Sequence, residues 1–225
     1  MSRSALIVFA AAVLGMSAAC SPTISSDYAA SGPVDRQFGS GGTVHMDLSA
    51  GQYVITGTDS DRLRVRWTAR NPEDAKEAKV VVDVKGSTAR IATDGPSNNF
   101  HVEIDLPSRT HIILRLSAGE IRVSGIEGNK DISAWAGEVR VGVEDPAQYG
   151  KVSASLTAGE IRADAFGEKR EGVFPSFTWT GKGSYELSTR LTAGQITFRE
   201  ESSEPAESEP PEPPEPPTPP AAPGA

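Results

Sequence analysis

Three Ala-Gly steps are each followed by a glutamate that stands two residues ahead of an arginine: Glu120 and Arg122, Glu138 and Arg140, Glu160 and Arg162. Stacked carboxylates with backbone carbonyls beside them would make an oxygen cage for Ca²⁺. The same spacing also puts each glutamate and its arginine on one strand face, where they neutralise each other. The sequence has no Asp-rich Ca²⁺ loop, so ion-paired glutamates are expected there and no metal. A second set, His101, Glu103, Asp105 and His111, offers imidazole and carboxylate groups of the kind that hold zinc. If 107–109 closes a hairpin, Asp105 comes near His111 and His101 near Arg115. Metal ligands must converge, and these residues spread along one face, so the polar side of a hairpin is expected. Asp59 and Asp61 lie in Thr58-Asp59-Ser60-Asp61, which reads as a turn and not as a pair of glycosidase acids. His45 has no nucleophile motif to serve, because neither Gly-x-Ser-x-Gly nor a phosphate loop occurs. No catalytic residue and no cofactor are expected.

The elements that carry these residues read as short strands. Val, Ile and Thr recur in runs bounded by Gly, Asp, Asn or Pro, a β composition. Candidate strands are 43–48, 52–57, 63–68, 79–84, 88–93, 101–106, 111–116, 120–124, 131–134, 138–143, 152–156, 160–163, 184–191 and 195–198. Many alternate apolar and polar, as Val102, Ile104 and Leu106 do against His101, Glu103 and Asp105. One helix is predicted over 71–79, with Asn71 as cap, Pro72 at its first position and Glu73 and Asp74 in its first turn. The aromatics Phe166, Phe174, Phe177 and Trp179 fall in a less regular stretch and are expected to cover one end of the core.

A repeat links the strands. Ser49-Ala50-Gly51-Gln52, Ser117-Ala118-Gly119-Glu120, Ala136-Gly137-Glu138, Thr157-Ala158-Gly159-Glu160 and Thr192-Ala193-Gly194-Gln195 are variants of one unit. Gly51, Gly119, Gly137, Gly159 and Gly194 are therefore candidate structural turns, where glycine permits a positive φ or a close backbone approach. The last four are spaced by 18, 22 and 35 residues, near the size of a solenoid coil with insertions. The fold expected is all-β, a solenoid-like or sandwich-like stack of short strands.

Charge and composition divide the chain. The formal net charge is −8, and from Glu200 onward there are seven glutamates and no lysine or arginine. The preceding residues carry −1, which argues against a nucleic-acid surface. Residues 208–220 repeat Glu-Pro-Pro, whose polyproline II period of three aligns Glu209, Glu212 and Glu215 on one side. The expected plan is a leader over 1–19, a flexible tether over 20–40, a β-repeat domain over 41–199 and an acidic, disordered tail over 200–225.

Cys20 is the only cysteine, so no internal disulfide stabilises the chain. It follows an apolar run of eleven residues (5–15), too short for a permanent membrane span, and the small residues Ser17-Ala18-Ala19. This resembles the lipobox of bacterial lipoproteins, departing from it at Ser17, where an aliphatic residue is usual. The resemblance implies acylation of Cys20, palmitate among the acids, and cleavage just before it. Two or three acyl chains hold a protein firmly to a membrane, where one gives marginal binding. Ser21, in place of Asp, implies the outer membrane in a diderm cell.

The stretches 116–127 (LSAGEIRVSGIE), 135–141 (WAGEVRV), 155–166 (SLTAGEIRADAF) and 191–198 (LTAGQITF) resemble the bacterial β-strand-repeat family labelled putative adhesin, a domain of unknown function (DUF4097). That resemblance implies an exported all-β scaffold without catalytic residues. The function expected is a lipid-anchored cell-envelope protein with a non-catalytic scaffold for structural or adhesive interaction. Its partners would be the membrane, through its N-terminal lipid, and an envelope protein or glycan, with no nucleic acid. A ligand-binding sensor of envelope regulation is the alternative, and a polysaccharide-active solenoid enzyme the third.

Overall fold

A computed structural model describes residues 33–69, 72–96 and 99–201. Cys20, the leader, most of the tether, Asn71 and the tail beyond Glu201 lie outside the described residues. The elements in order are β1 (Val34–Gln37), β2 (Thr43–Leu48), β3 (Gly51–Thr58), β4 (Arg62–Thr68), α1 (Pro72–Glu77), β5 (Lys79–Lys85), β6 (Thr88–Asp94), β7 (His101–Pro107), β8 (His111–Ser124), β9 (Lys130–Val143), β10 (Tyr149–Ala163), β11 (Glu168–Val173), β12 (Ser176–Thr180) and β13 (Tyr185–Glu200). The fold is all-β, apart from the single turn-and-a-half of α1 and two short 3-10 turns.

The predicted pairs of short strands at 111–124, 131–143, 152–163 and 184–198 are four long strands, each bent at its Ala-Gly step. Burial shows the bend. Leu116 and Ile121 are both buried, as are Leu156 and Ile161, and Leu191 and Ile196. Each pair is five residues apart, so a straight strand would send its members to opposite faces. The backbone instead rotates at glycines of positive φ: +123° at Gly119, +125° at Gly137, +136° at Gly159 and +132° at Gly194. Gly51 stands at the start of β3 without that φ, and links β2 to β3 in the same manner.

Each bent strand thus contributes to two wings of one sheet system. The first wing runs β5–β6–β2, then the N-terminal halves of β8, β9, β13 and β10, then β12. The second runs β1–β4–β7–β3, then the C-terminal halves of the same four strands, then β11. Stacking in both wings is parallel and in register across β8, β9, β13 and β10, a solenoid feature. The wings close over a common core as a sandwich does. Phe177 of the first wing packs 6.4 Å from Phe198 of the second, and Phe166 touches both. Tyr53 of β3 hydrogen-bonds Thr93 of β6 at 2.8 Å, joining the wings at the other end.

Two strands enter gaps left by earlier ones. β7 lies between β3 and β4, and β13 lies between β9 and β10. The hairpin expected between 101–106 and 111–116 therefore does not form. β7 pairs with β3 and β4 in one wing, while β8 begins in the other, because 107–110 crosses between them. The tether is also shorter than expected, since Val34–Gln37 pairs with β4 and buries Val34. At the other end, the Glu201 carboxylate accepts the Gly125 N–H at 2.8 Å, so the domain reaches one residue past β13. The irregular 166–180 stretch contains β11 and β12. Among the described residues no helix is long and apolar enough to cross a membrane.

The glycine corners stack as a seam in the order Gly51, Gly119, Gly137, Gly194, Gly159. A Cβ on Gly159 would lie 1.9 Å from the Gly194 carbonyl oxygen. Gly172, paired with Gly159 from the edge strand, shares the positive φ (+117°) and faces open space. Gly172→Ala should cost about 1–2 kcal/mol from backbone strain alone, and Gly159→Ala about 3–5 kcal/mol, because the collision adds to the strain. Denaturant midpoints of the two variants measure the difference.

Candidate functional site

The corner glutamates lie on the outer face of the second wing, beside the seam. Arg140 reaches both Glu138, at 2.7 Å, and Glu120 on the neighbouring strand. Arg162 binds Glu160 through two hydrogen bonds, at 2.6 and 3.0 Å, and Lys169 adds a third contact at 3.2 Å. Hydrogen bonding from Arg162 holds the Glu160 carboxyl below its ordinary value. These carboxylates are thus committed to neighbouring cations, and Glu120 has Arg140 as a partner across the stack.

The histidine set is divided between the wings. His101 lies 3.6 Å from Glu103 in β7, and Arg66 of β4 binds Glu103 and Asp105 at 3.0 and 3.2 Å. His111 begins β8 in the other wing, and its Nδ1 accepts the Asn129 N–H at 3.0 Å. Among the described residues no His, Cys, Asp or Glu cluster is arranged to hold a metal. Asp61 accepts a hydrogen bond from Gln37 at 2.6 Å, which fastens the β3–β4 turn to β1. His45 lies in a groove of about 580 Å³ on the outer face of the first wing. Val81 and Ile113 give that groove an apolar floor, and Arg90, Arg115 and Asp47 form an ion-paired rim, with Arg90 2.8 Å from Asp47.

The seam also sets out a row of side chains on its outward side. The residue two before each positive-φ seam glycine turns outward at the bend. Along the stack these residues are Ser117, Trp135, Thr192 and Thr157, whereas Ser49, at the first corner, lies 3.3 Å from the Tyr53 and Thr93 hydroxyls. Trp135 is 70% exposed. Its inward neighbour is Ala134, where the other strands place Leu48, Leu116, Leu191 and Leu156. Beyond Thr157 the row continues into Phe174, whose N–H donates to the Thr157 carbonyl at 2.8 Å. Phe174, expected from the sequence to cover the core with Phe166, Phe177 and Trp179, instead has φ +54° and is 73% exposed, and Val173 beside it is 75% exposed.

These three are the exposed large apolar side chains of the described residues. Trp135 and Phe174 are three strand spacings apart, about 14 Å, with Thr192 and Thr157 between them. Below that row lies a shallow depression of about 450 Å³ containing Ser133, Ser155, Ser176 and Arg190. A left-handed backbone at a bulky residue costs about 1–3 kcal/mol, and here it sets an aromatic ring in solvent. Such aromatic ridges suit contact with a partner surface. The signal in the sequence was Trp135 itself, standing in a column of serines and threonines.

Lys130 is the other residue out of pattern. It occupies an inward position between Ile112 and Leu187 and is 1% exposed. Its ammonium donates to the Tyr149 hydroxyl at 2.6 Å and to the Gly128 carbonyl at 3.3 Å. Burial brings its pKa down to about 8, against the opposing pull of Glu144, Glu201 and Glu127. A depressed amine of this kind is a nucleophile in some enzymes, but this one is enclosed and its protons are committed.

In the unfolded chain the lysine titrates near its ordinary 10.5, so between pH 8 and 10 the unfolded state binds more protons and stability rises with pH. Relative to Lys130→Met, the wild type should gain about 2 kcal/mol from pH 8 to pH 10. Urea titrations of both proteins across that range measure it.

No family model matches the chain, and no curated protein matches it. Among solved structures it is similar to a "putative cell adhesion protein" from Clostridium sporogenes, with 16% identity and a TM-score of 0.46 over 75% of this chain and 99% of that one. It is also similar to a "putative adhesin" from Bacteroides fragilis, with 10% identity and a TM-score of 0.28 over 75% of this chain and 96% of that one.

Proposed function

We propose that this chain is a lipid-anchored cell-envelope protein whose β domain is a non-catalytic scaffold for adhesive contact. Cys20 carries the lipid, and the ridge of Trp135, Val173 and Phe174 makes the contact. The observation that carries this reading is the exposure of these three side chains on one edge of a rigid stack. Elsewhere the outer faces carry ion pairs, serine and threonine, with the recessed floor of the His45 groove as an apolar exception. The partner is an envelope protein or glycan that presents an apolar face to the ridge. The groove around His45 supports a second reading, a ligand-binding accessory of envelope regulation, because it combines an apolar floor with charged groups of both signs.

Two measurements test the first reading. Binding of the protein to isolated envelope fractions should weaken at least tenfold in Trp135→Ala/Phe174→Ala, with the melting temperature unchanged or raised. Unchanged binding would remove the ridge from the account. Labelled palmitate should enter the wild type and not Cys20→Ser, and equal labelling of both would remove the lipid anchor.

A further inference from the structure

The two wings end in four edge strands, β5 and β12 on the first and β1 and β11 on the second. An edge strand offers unpaired backbone groups to any other strand, and charge is a common means of discouraging this. Three of the edges are charged. β1 carries Asp35 and Arg36, β5 carries Lys79, Asp83 and Lys85, and β11 carries Glu168, Lys169, Arg170 and Glu171. β12 has the sequence Ser-Phe-Thr-Trp-Thr, with no charge and no proline, and with the β-branched and aromatic residues that favour strands. It pairs with β10 on one side, from Lys151 opposite Thr180 to Ser155 opposite Ser176, and with no strand on the other among the described residues.

The geometry points to β12 as the seam of a homodimer, in which two copies pair antiparallel about Thr178 and make the first wing continuous across a two-fold axis. Ser176, Thr178 and Thr180 are exposed, while Phe177 is buried and Trp179 half-buried. An antiparallel pair must match outward residues with outward and inward with inward. Of the registers that do so, the one centred on Thr178 alone pairs all five residues. It places Ser176 opposite Thr180, Thr178 opposite its own copy, and Phe177 of one copy opposite Trp179 of the other.

Like charges do not meet anywhere in that strand pair, and the cross-strand aromatic pairs lie on the core face. Trp179 already packs 5.0 Å from Phe166, so the pairing would complete its burial. The same self-pairing of β1, β5 or β11 would bring charged edges together. An isologous contact of this kind closes at two copies. It does not rest on the adhesive reading, and it leaves Trp135 three strands away from the seam. It would present two ridges on one assembly, which raises avidity toward a repetitive surface.

Sedimentation of the full chain in detergent tests the seam. The wild type should be a dimer. Thr178→Lys and Thr178→Asp should each raise the dimer dissociation constant at least tenfold, since each sets like charges opposite one another, and an equal mixture of the two should restore the dimer. Ser133→Lys, on the outer face of the same wing, should leave dimerisation unchanged. Should the charged variants lose their β-type circular dichroism, Thr178→Cys provides the second measurement. Oxidation should then link two chains through residue 178, because directly opposed strand positions lie within disulfide reach. A monomeric wild type at tens of micromolar, a Thr178→Lys dimer as tight as the wild type, or a Thr178→Cys protein without the 178–178 link would overturn the proposal.

Discussion

At the corners, the carbonyl oxygen of one glycine occupies the space where the next glycine would carry its Cβ. An added Cβ would come within 1.8 Å of that oxygen at Gly137 and at Gly194, and within 1.9 Å at Gly119 and Gly159. This approach lets bent strands stack in register through the bend, so that backbone pairing continues from one wing into the other without an intervening loop. The positive φ at the same residues reverses which alternate side chains face inward. Leu116 and Ile121 can then share one core, as can their counterparts in β10 and β13. The wings, the core between them and the outward column beside the seam all follow from this one constraint.

Where the core is regular it is built from columns of aliphatic residues, and each buried Leu, Ile or Val contributes about 1.5–3 kcal/mol. The two residues that break the columns are Lys130 on the inward side and Trp135 on the outward side. Lys130 brings a charge into a position its neighbours fill with Ile112 and Leu187, and its cost is offset by Tyr149, Gly128 and the surrounding carboxylates. Trp135 does the reverse by placing a large apolar surface in water. A fold whose repeats are otherwise consistent makes such departures visible, and departures of this kind concentrate at functional sites.

The sequence was most legible where alternation was local. Val44, Met46 and Leu48 define β2 with the boundaries the structure gives it. The repeated Ala-Gly step marks every bend, but in a local pattern glycine interrupts a strand, so the four long strands look like eight. The five-residue interval between inward residues on either side of each glycine carried the missing information. β1 and β11 leave no local signal, because their charged side chains lack the apolar alternation that marks a strand. The insertion of β7 and β13 into gaps depends on pairings between residues far apart in the chain, and no local pattern encodes it. Lys130 and Trp135 were both in view, but each is anomalous only once its neighbours in the stack are known.

Contacts between glycine backbone protons in the folded domain give the most direct test of the stacked seam, and solution NMR can record them. Cross-strand nuclear Overhauser effects should connect Gly119 with Gly137, Gly137 with Gly194, and Gly194 with Gly159. Direct Gly137–Gly159 contacts, or the absence of contacts between successive glycines, would contradict the order and the close approach on which the fold is built.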